Sequence, residues 1–173
     1  MRYISHRGNL NGPIPDIENT PWAIKQAIQR GFDVEVDIWR VDGLWMLGHD
    51  NPQHPIHESF LLEHIPSLWL HCKNVDALID LEALNQFAWS DRVVTLPHSP
   101  PHYFWHQEDD YATTSRKYVI SYPGKSAAGM FSVCMLPERT WGVDFQATHH
   151  YLRQQRFSCV CSDHIQDLKN HKY

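Results

Sequence analysis

A short apolar run over residues 2–5 leads straight into His6-Arg7-Gly8. A loop rich in Gly, Pro and Asn follows over 9–16. Asn19 or Thr20 then stands where a helix N-cap belongs, with Pro21 in the first turn, where its missing N–H costs nothing. Trp22, Ala23, Ala27 and Ile28 recur at helical spacing, and Gly31 supplies the stop. Residues 32–39 read as a strand, so the opening segment is strand, helix, strand: a βαβ unit with parallel pairing. Asp42-Gly43, set between 38–41 and 44–47, predicts a tight hairpin turn that delivers His49 and Asp50.

Beyond it the pattern predicts a loop over 51–57, a weak helix over 59–64, a strand over 67–72 and a better helix over 75–87. Further strands are expected at 93–96, 103–106, 118–122, 131–136 and 158–161, with a weaker one at 142–145. The stretch 97–101 is irregular, and a helix fills 147–155. No repeat or linker divides the chain, so one α/β domain is expected. Repeated short strands with intervening helices favour a TIM-type (β/α) barrel over an open sheet. A full barrel of that kind takes about 250 residues, and this chain has 173. The barrel is therefore expected to be shortened or distorted, with helices trimmed or replaced between 97 and 145.

Composition narrows the partners. The formal charge of −5 is spread along the chain, with no basic stripe to hold nucleic acid. The four cysteines, Cys72, Cys134, Cys159 and Cys161, form no CxxC pair and sit in apolar runs, which reads as buried thiols. Cys159 and Cys161 alternate on one strand and should face the same way. The chain opens on a strand without an apolar leader, and no apolar stretch is long enough to span a bilayer. A cytoplasmic location is expected. Oligomeric state is not encoded in any pattern here.

The chemistry concentrates between residues 6 and 50. His6 and Arg7 lie at the C-terminal end of the first strand. Glu35 and Asp37 stand two apart on the second, on one face and about 7 Å apart at the Cα atoms. Val34, Val36 and Ile38 take the opposite face, which distinguishes this pair from a solvated acidic edge. Two carboxylates aimed together repel and require a cation between them, for which a divalent metal is the natural answer. With His49 past the turn, two imidazoles can serve as proton acceptor and donor in phosphodiester cleavage. The metal and Arg7 would neutralise charge on the phosphoryl oxygens.

The series His6-Arg7-Gly8, Glu18-Asn19-Thr20, Ala23, Gly31, Val34-Glu35-Val36-Asp37, Asp42-Gly43 and Gly48-His49-Asp50 resembles the signature of the glycerophosphodiester phosphodiesterases. That resemblance implies a TIM-type barrel of the phospholipase C-like superfamily with a divalent cation, usually Mg²⁺ or Ca²⁺. It implies His6 and His49 as catalytic acid and base, Arg7 on the phosphate, and Glu35 and Asp37 as metal ligands. The third strand departs from the pattern: Lys73 matches a phosphate-binding Lys, but His71 stands where the family has a ligand Glu. Imidazole favours softer ions such as Mn²⁺ or Zn²⁺. Either the metal differs, or His71 contacts phosphate and the two carboxylates hold the ion with water.

Later segments, with Phe104-Trp105-His106, Asp109, Tyr122-Pro123-Gly124 and Pro137-Glu138, look similar to a compact bacterial and viral branch. His106, Asp109 and Tyr122 are pocket candidates. Asp163, in Cys161-Ser162-Asp163, resembles the last-strand acid of larger relatives, and Glu18 is expected to brace Arg7 or the loop. The expected activity is hydrolysis of a small glycerol- or polyol-linked phosphodiester. The alternatives are a phospholipase C-type lyase that releases a cyclic phosphate, and a phospholigand-binding barrel without turnover.

Overall fold

The computed structural model describes residues 1–88, 100–106, 110–125 and 131–171. The strand expected at 93–96 and the pocket candidate Asp109 lie outside the described residues. In chain order the elements are β1 (Arg2–His6), α1 (Pro21–Gln29), β2 (Asp33–Val41), β3 (Leu44–Leu47), β4 (His54–Ile56) and α2 (Glu58–His64). After a 3-10 turn come β5 (Leu68–Cys72), α3 (Val75–Ala88), β6 (Tyr103–Phe104), β7 (Tyr111–Thr113), β8 (Val119–Ser121) and β9 (Ser132–Met135). The chain continues through α4 (Glu138–Trp141), α5 (Phe145–Gln154), β10 (Cys159–Ser162) and α6 (Ile165–Asn170).

The result is a mixed α/β domain built on one curled sheet. Strands β6, β5, β2, β1, β10, β9 and β8 lie side by side and parallel, and β7 pairs antiparallel with β8. Strands β3 and β4 form an antiparallel flap on the far half of β2. Curling brings the edges β6 and β7 together, where Ser115 N–H donates to Tyr103 O at 2.8 Å and Tyr103 N–H donates to Ser115 Oγ at 3.1 Å.

Alternation along the strands divides two apolar layers. Ile4, Trp69, Phe104, Ala112, Ile120, Val133, Met135, Cys159 and Cys161 pack together on the concave face. Val34, Val36, Ile38, Leu70, Cys134 and Val160 point outward and pack with Ile24, Ala27, Leu152, Ile165 and Leu168 of the helices. All four thiols are buried and unpaired, and Cys159 and Cys161 share a face as their spacing predicts.

Several local expectations need correction. Of the two expected cap candidates Thr20 is the one that caps α1, with its Oγ1 accepting from Ala23 N–H at 3.2 Å. Trp22 is 60 % exposed, so the buried stripe of α1 runs through Ala23, Ile24 and Ala27 instead. The loop expected over 51–57 contains β4, which pairs with β3 and tolerates Pro55 as an edge strand does. No strand forms at 142–145: Gly142 turns the chain at φ 57°, and Asp144 accepts from Ala147 N–H at 2.9 Å as the cap of α5. Strand β7 and helices α4 and α6 are too short for periodicity to reveal. The Asp42-Gly43 turn is as expected, with both residues at positive φ, as a two-residue hairpin turn requires.

Candidate functional site

Register sets the site. His6 is the cross-strand partner of Glu35, and Asp37 is the partner of His71. Adjacent parallel strands thereby bring an imidazole, two carboxylates and a second imidazole to the C-terminal end of the sheet. Glu35 is 3 % exposed and Asp37 1 %. One ligand atom each from Glu35, Asp37 and His71 lies within 4.8 Å of the others, the spacing a single cation can bridge.

The two carboxylates behave differently. Burial and the charge of Asp37 push Glu35 above the ordinary carboxylate range. Burial also acts to raise Asp37, but His71, Arg7 and Lys73 outweigh it and hold Asp37 well below the ordinary range. His71 Nδ1 lies 2.9 Å from Asp37 Oδ1 and 3.7 Å from Glu35 Oε1, while Lys73 Nζ lies 3.5 Å from Asp37 Oδ1. The Lys73 contact is one of charge, and none of the three has hydrogen-bond alignment. Glu35 Oε2 and Asp37 Oδ1 remain buried with no hydrogen-bond partner among the described residues. Orphaned carboxylate oxygens cost free energy unless a cation joins them. Two oxygens and one ring nitrogen suit a divalent ion, so the residues present fit the metal that the sequence pattern implies.

Asp37 is fixed by its neighbours. Asn19 Nδ2 donates to Asp37 Oδ2 at 3.0 Å, and Asn19 Oδ1 accepts from Asp37 N–H at 3.0 Å. Arg7 Nε stands 3.1 Å from Asp37 Oδ2, and Arg7 Nη1 donates to Glu18 Oε2 at 3.2 Å. Glu18 therefore braces Arg7, as expected. Arg7 and Asn19 both adopt positive φ, 53° and 56°, and Asn19 N–H donates to Arg7 O at 2.9 Å. Gly8 follows at φ 87°, where a Cβ would meet Ala23 Cβ at 2.7 Å. Only glycine allows helix α1 to lie this close to the strand end.

On the other side, His6 Nδ1 is 2.7 Å from Asp163 Oδ1, at the end of β10. Burial pulls the His6 imidazole down, but the Asp163 hydrogen bond and the charges of Glu35 and Asp163 raise it on balance. Asp163 Oδ1 also accepts from Asn9 Nδ2 at 2.8 Å. Glu138 supports the same turn, accepting from Ser162 Oγ at 3.0 Å and Asp163 N–H at 2.7 Å. His6 Nε2 faces Glu35 Oε2 at 3.8 Å.

His6, Arg7, Glu35, Asp37, His49, His71 and Lys73 all line one cavity of about 530 Å³. His106 and Tyr122 line it too, so these pocket candidates join the site, while Glu18 and Asp163 stand behind it as braces. His49 is half-exposed at the rim, its Nδ1 2.7 Å from Asp50 Oδ1. The His71 ring stacks on Phe104, with centroids 4.8 Å apart, and on His106, at 4.7 Å, and both pairs are nearly coplanar in orientation. Stacking fixes the plane in which Nδ1 points at the carboxylates.

Three residues with clear roles escape the sequence reading. Asn19 is visible as part of a motif, but its bidentate grip on Asp37 is not. Glu138 and Arg139 belong to α4, a single helical turn, and Arg139 reaches the cavity wall beside Tyr122. Glu138 appears in the Pro137-Glu138 motif without its role, and no local pattern signals Arg139. Compared with models of known protein families the chain matches none, and comparison with curated proteins likewise gives no match.

Proposed function

We propose that the chain is a divalent-metal-dependent phosphodiesterase acting on a small glycerol- or polyol-linked phosphodiester. One observation carries the reading: two buried, partly orphaned carboxylates and an imidazole converge in the cavity that also takes in His6, Arg7, His49 and Lys73. The resemblance of residues 6–50 to the glycerophosphodiester phosphodiesterases supports it independently. Glu35, Asp37 and His71 would hold the ion, which supplies positive charge to the phosphoryl oxygens when bound.

The chain's own groups do the rest. Arg7 and Lys73 bind the phosphate as cations. His6 and His49 each engage a carboxylate through Nδ1, at 2.7 Å in both cases, which leaves Nε2 for proton transfer. One imidazole removes a proton from the attacking oxygen, of water or of a substrate hydroxyl. As the new P–O bond forms, the bond to the leaving oxygen breaks, and the second imidazole gives that oxygen a proton. Attack by a substrate hydroxyl yields a cyclic phosphate, and attack by water yields a monoester; phosphorus NMR of the product separates them.

A shortened TIM-type barrel is the matching proposal for the fold. The seam between β6 and β7, the run of parallel strands and the position of the site at their C-terminal ends all support it. No helix among the described residues is long and apolar enough to cross a membrane. Four free buried thiols favour a reducing, cytoplasmic setting.

The test is turnover of a panel of glycerophosphodiesters with Mg²⁺, Ca²⁺, Mn²⁺ or Zn²⁺ added singly to metal-free protein. Cleavage should require one of these ions, and His6→Ala and His49→Ala should each lower kcat by about a hundredfold or more. Cleavage indifferent to both substitutions, or none with any ion, would sink the reading.

A further inference from the structure

The cavity has a second charged end. Its lining includes the apolar Phe104, Ala112, Ile120 and Met135, and also Arg139, which follows β9, four places along the sheet from the β5 that carries Lys73 at its end. The Arg139 guanidinium lies over the Tyr122 ring, 5.3 Å from its centroid, with Nη1 3.4 Å from the Tyr122 hydroxyl. Its backbone is anchored, because Arg139 N–H donates to Leu136 O at 3.0 Å and the preceding residue, Glu138, is clamped by Ser162 and Asp163. The same clamp engages both oxygens of the adjacent Glu138 carboxylate.

The other cations at this cavity already have acids. Arg7 faces Glu18 and Asp37, and Lys73 faces Asp37. Of the other acids on the lining, Glu35 faces His6 and His71, and Asp110 is paired with Lys125 at 2.7 Å. Among the described residues Arg139 alone lines the cavity as a cation without a carboxylate partner. A guanidinium held on an aromatic face presents its remaining N–H groups in a planar fork that suits a carboxylate or phosphate.

We propose that the substrate is a phosphodiester whose second alcohol carries a further anionic group, a carboxylate or a phosphomonoester, and that Arg139 receives it. The proposal rests on the phosphodiesterase reading for the identity of the first anion. The reacting phosphate sits at the Arg7–Lys73 end, the carbon skeleton of the alcohol lies over the apolar lining, and its second charge reaches Arg139. Tyr122 orients the guanidinium and closes the wall behind it.

The experiment compares three diesters of glycerol 3-phosphate that differ only in the second alcohol: glycerol, glycerate and glycerol phosphate. The wild-type protein should favour one of the two charged substrates over the neutral one by tenfold or more in kcat/KM, and the favoured arm identifies carboxylate or phosphate. Arg139→Gln should reduce that ratio to near unity, mainly through KM, and Arg139→Lys should restore part of it. Calorimetry with 2,3-bisphosphoglycerate and glycerol 3-phosphate gives a readout without turnover: a preference for the bisphosphate that Arg139→Gln removes. Cleavage of all three diesters at similar kcat/KM, with a ratio untouched by Arg139→Gln, would overturn the proposal while leaving the phosphodiesterase reading intact. Absence of any cleavage together with an Arg139-dependent bisphosphate preference would overturn that reading and keep the anion subsite.

Discussion

His102 gives the fold a measurable sensitivity to acid. It is 2 % exposed, packed at a 39° tilt against Trp69 with ring centroids 3.9 Å apart, and its Nε2 is 2.7 Å from Thr114 Oγ1. Thr114 Oγ1 also accepts from Tyr118 N–H at 3.1 Å, so the His102 ring is tied into a buried polar contact. Burial, with the nearby charges of Arg116 and Arg2, drives the imidazole down to about 3. In the unfolded chain it titrates near about 6.5. Between those values the unfolded state binds a proton that the folded state refuses, so stability is full above about 6.5 and falls as pH drops towards 3. At about pH 5 the loss from this residue is about 2 kcal/mol, since each pH unit below 6.5 costs about 1.4 kcal/mol. His102→Phe keeps a ring against Trp69 but abandons the Thr114 hydroxyl, at a cost of about 1 kcal/mol independent of pH. Urea unfolding should therefore find the wild type more stable by about 1 kcal/mol at about pH 7.5 and the variant more stable by a similar margin at about pH 5. Other groups titrate identically in both proteins and cancel. A stability gap that stays the same at both pH values would refute the argument.

The remaining predictions address the site. Glu35→Gln replaces a buried carboxyl group crowded against Asp37, with one oxygen lacking a hydrogen bond, so it should raise the melting temperature of metal-free protein by a few degrees while abolishing any rise on adding Mn²⁺, both read by calorimetry. Gly8→Ala adds a Cβ against Ala23 at a positive φ and should cost about 2 kcal/mol or more in urea unfolding. Asn19→Ala strips both hydrogen bonds from Asp37, one of them to a buried backbone N–H, and should cost about 2 kcal/mol and weaken metal binding measured by titration. Asp163→Asn removes the charge that raises His6, so the imidazole followed by NMR should titrate lower than in the wild type. An unchanged His6 titration would mean that the 2.7 Å contact does not govern it.

What was legible in the chain followed from period and punctuation. Alternation around Glu35 and Asp37 marked which side of β2 is apolar, and the structure agrees because Val34, Val36 and Ile38 bury against helices. Asp42-Gly43 marked its turn because both residues tolerate positive φ. The expected convergence of Glu35, Asp37 and His71 is present because strand pairing sets Asp37 beside His71, a register that no local pattern encodes. Trp22 misled because helical spacing reports a stripe without saying where its edge falls. Helix α4 and strand β7 were invisible, as a single turn or three residues cannot carry a period. The roles of Glu138, Arg139 and Asp163 depend on contacts across long separations, such as His6 with Asp163, which composition does not report.

The backbone joint between β6 and β7 runs through Ser115, which gives its N–H to Tyr103 O and takes the Tyr103 N–H on its hydroxyl, with the His102–Thr114 contact beside it. Every other neighbouring pair along the curl is laced by a ladder. Opening should begin here, so the Tyr103 and Ser115 amides should exchange with deuterated solvent sooner than those of β1 or β2. A covalent staple across these two positions would then stiffen the whole wall without touching the acids or imidazoles at its mouth.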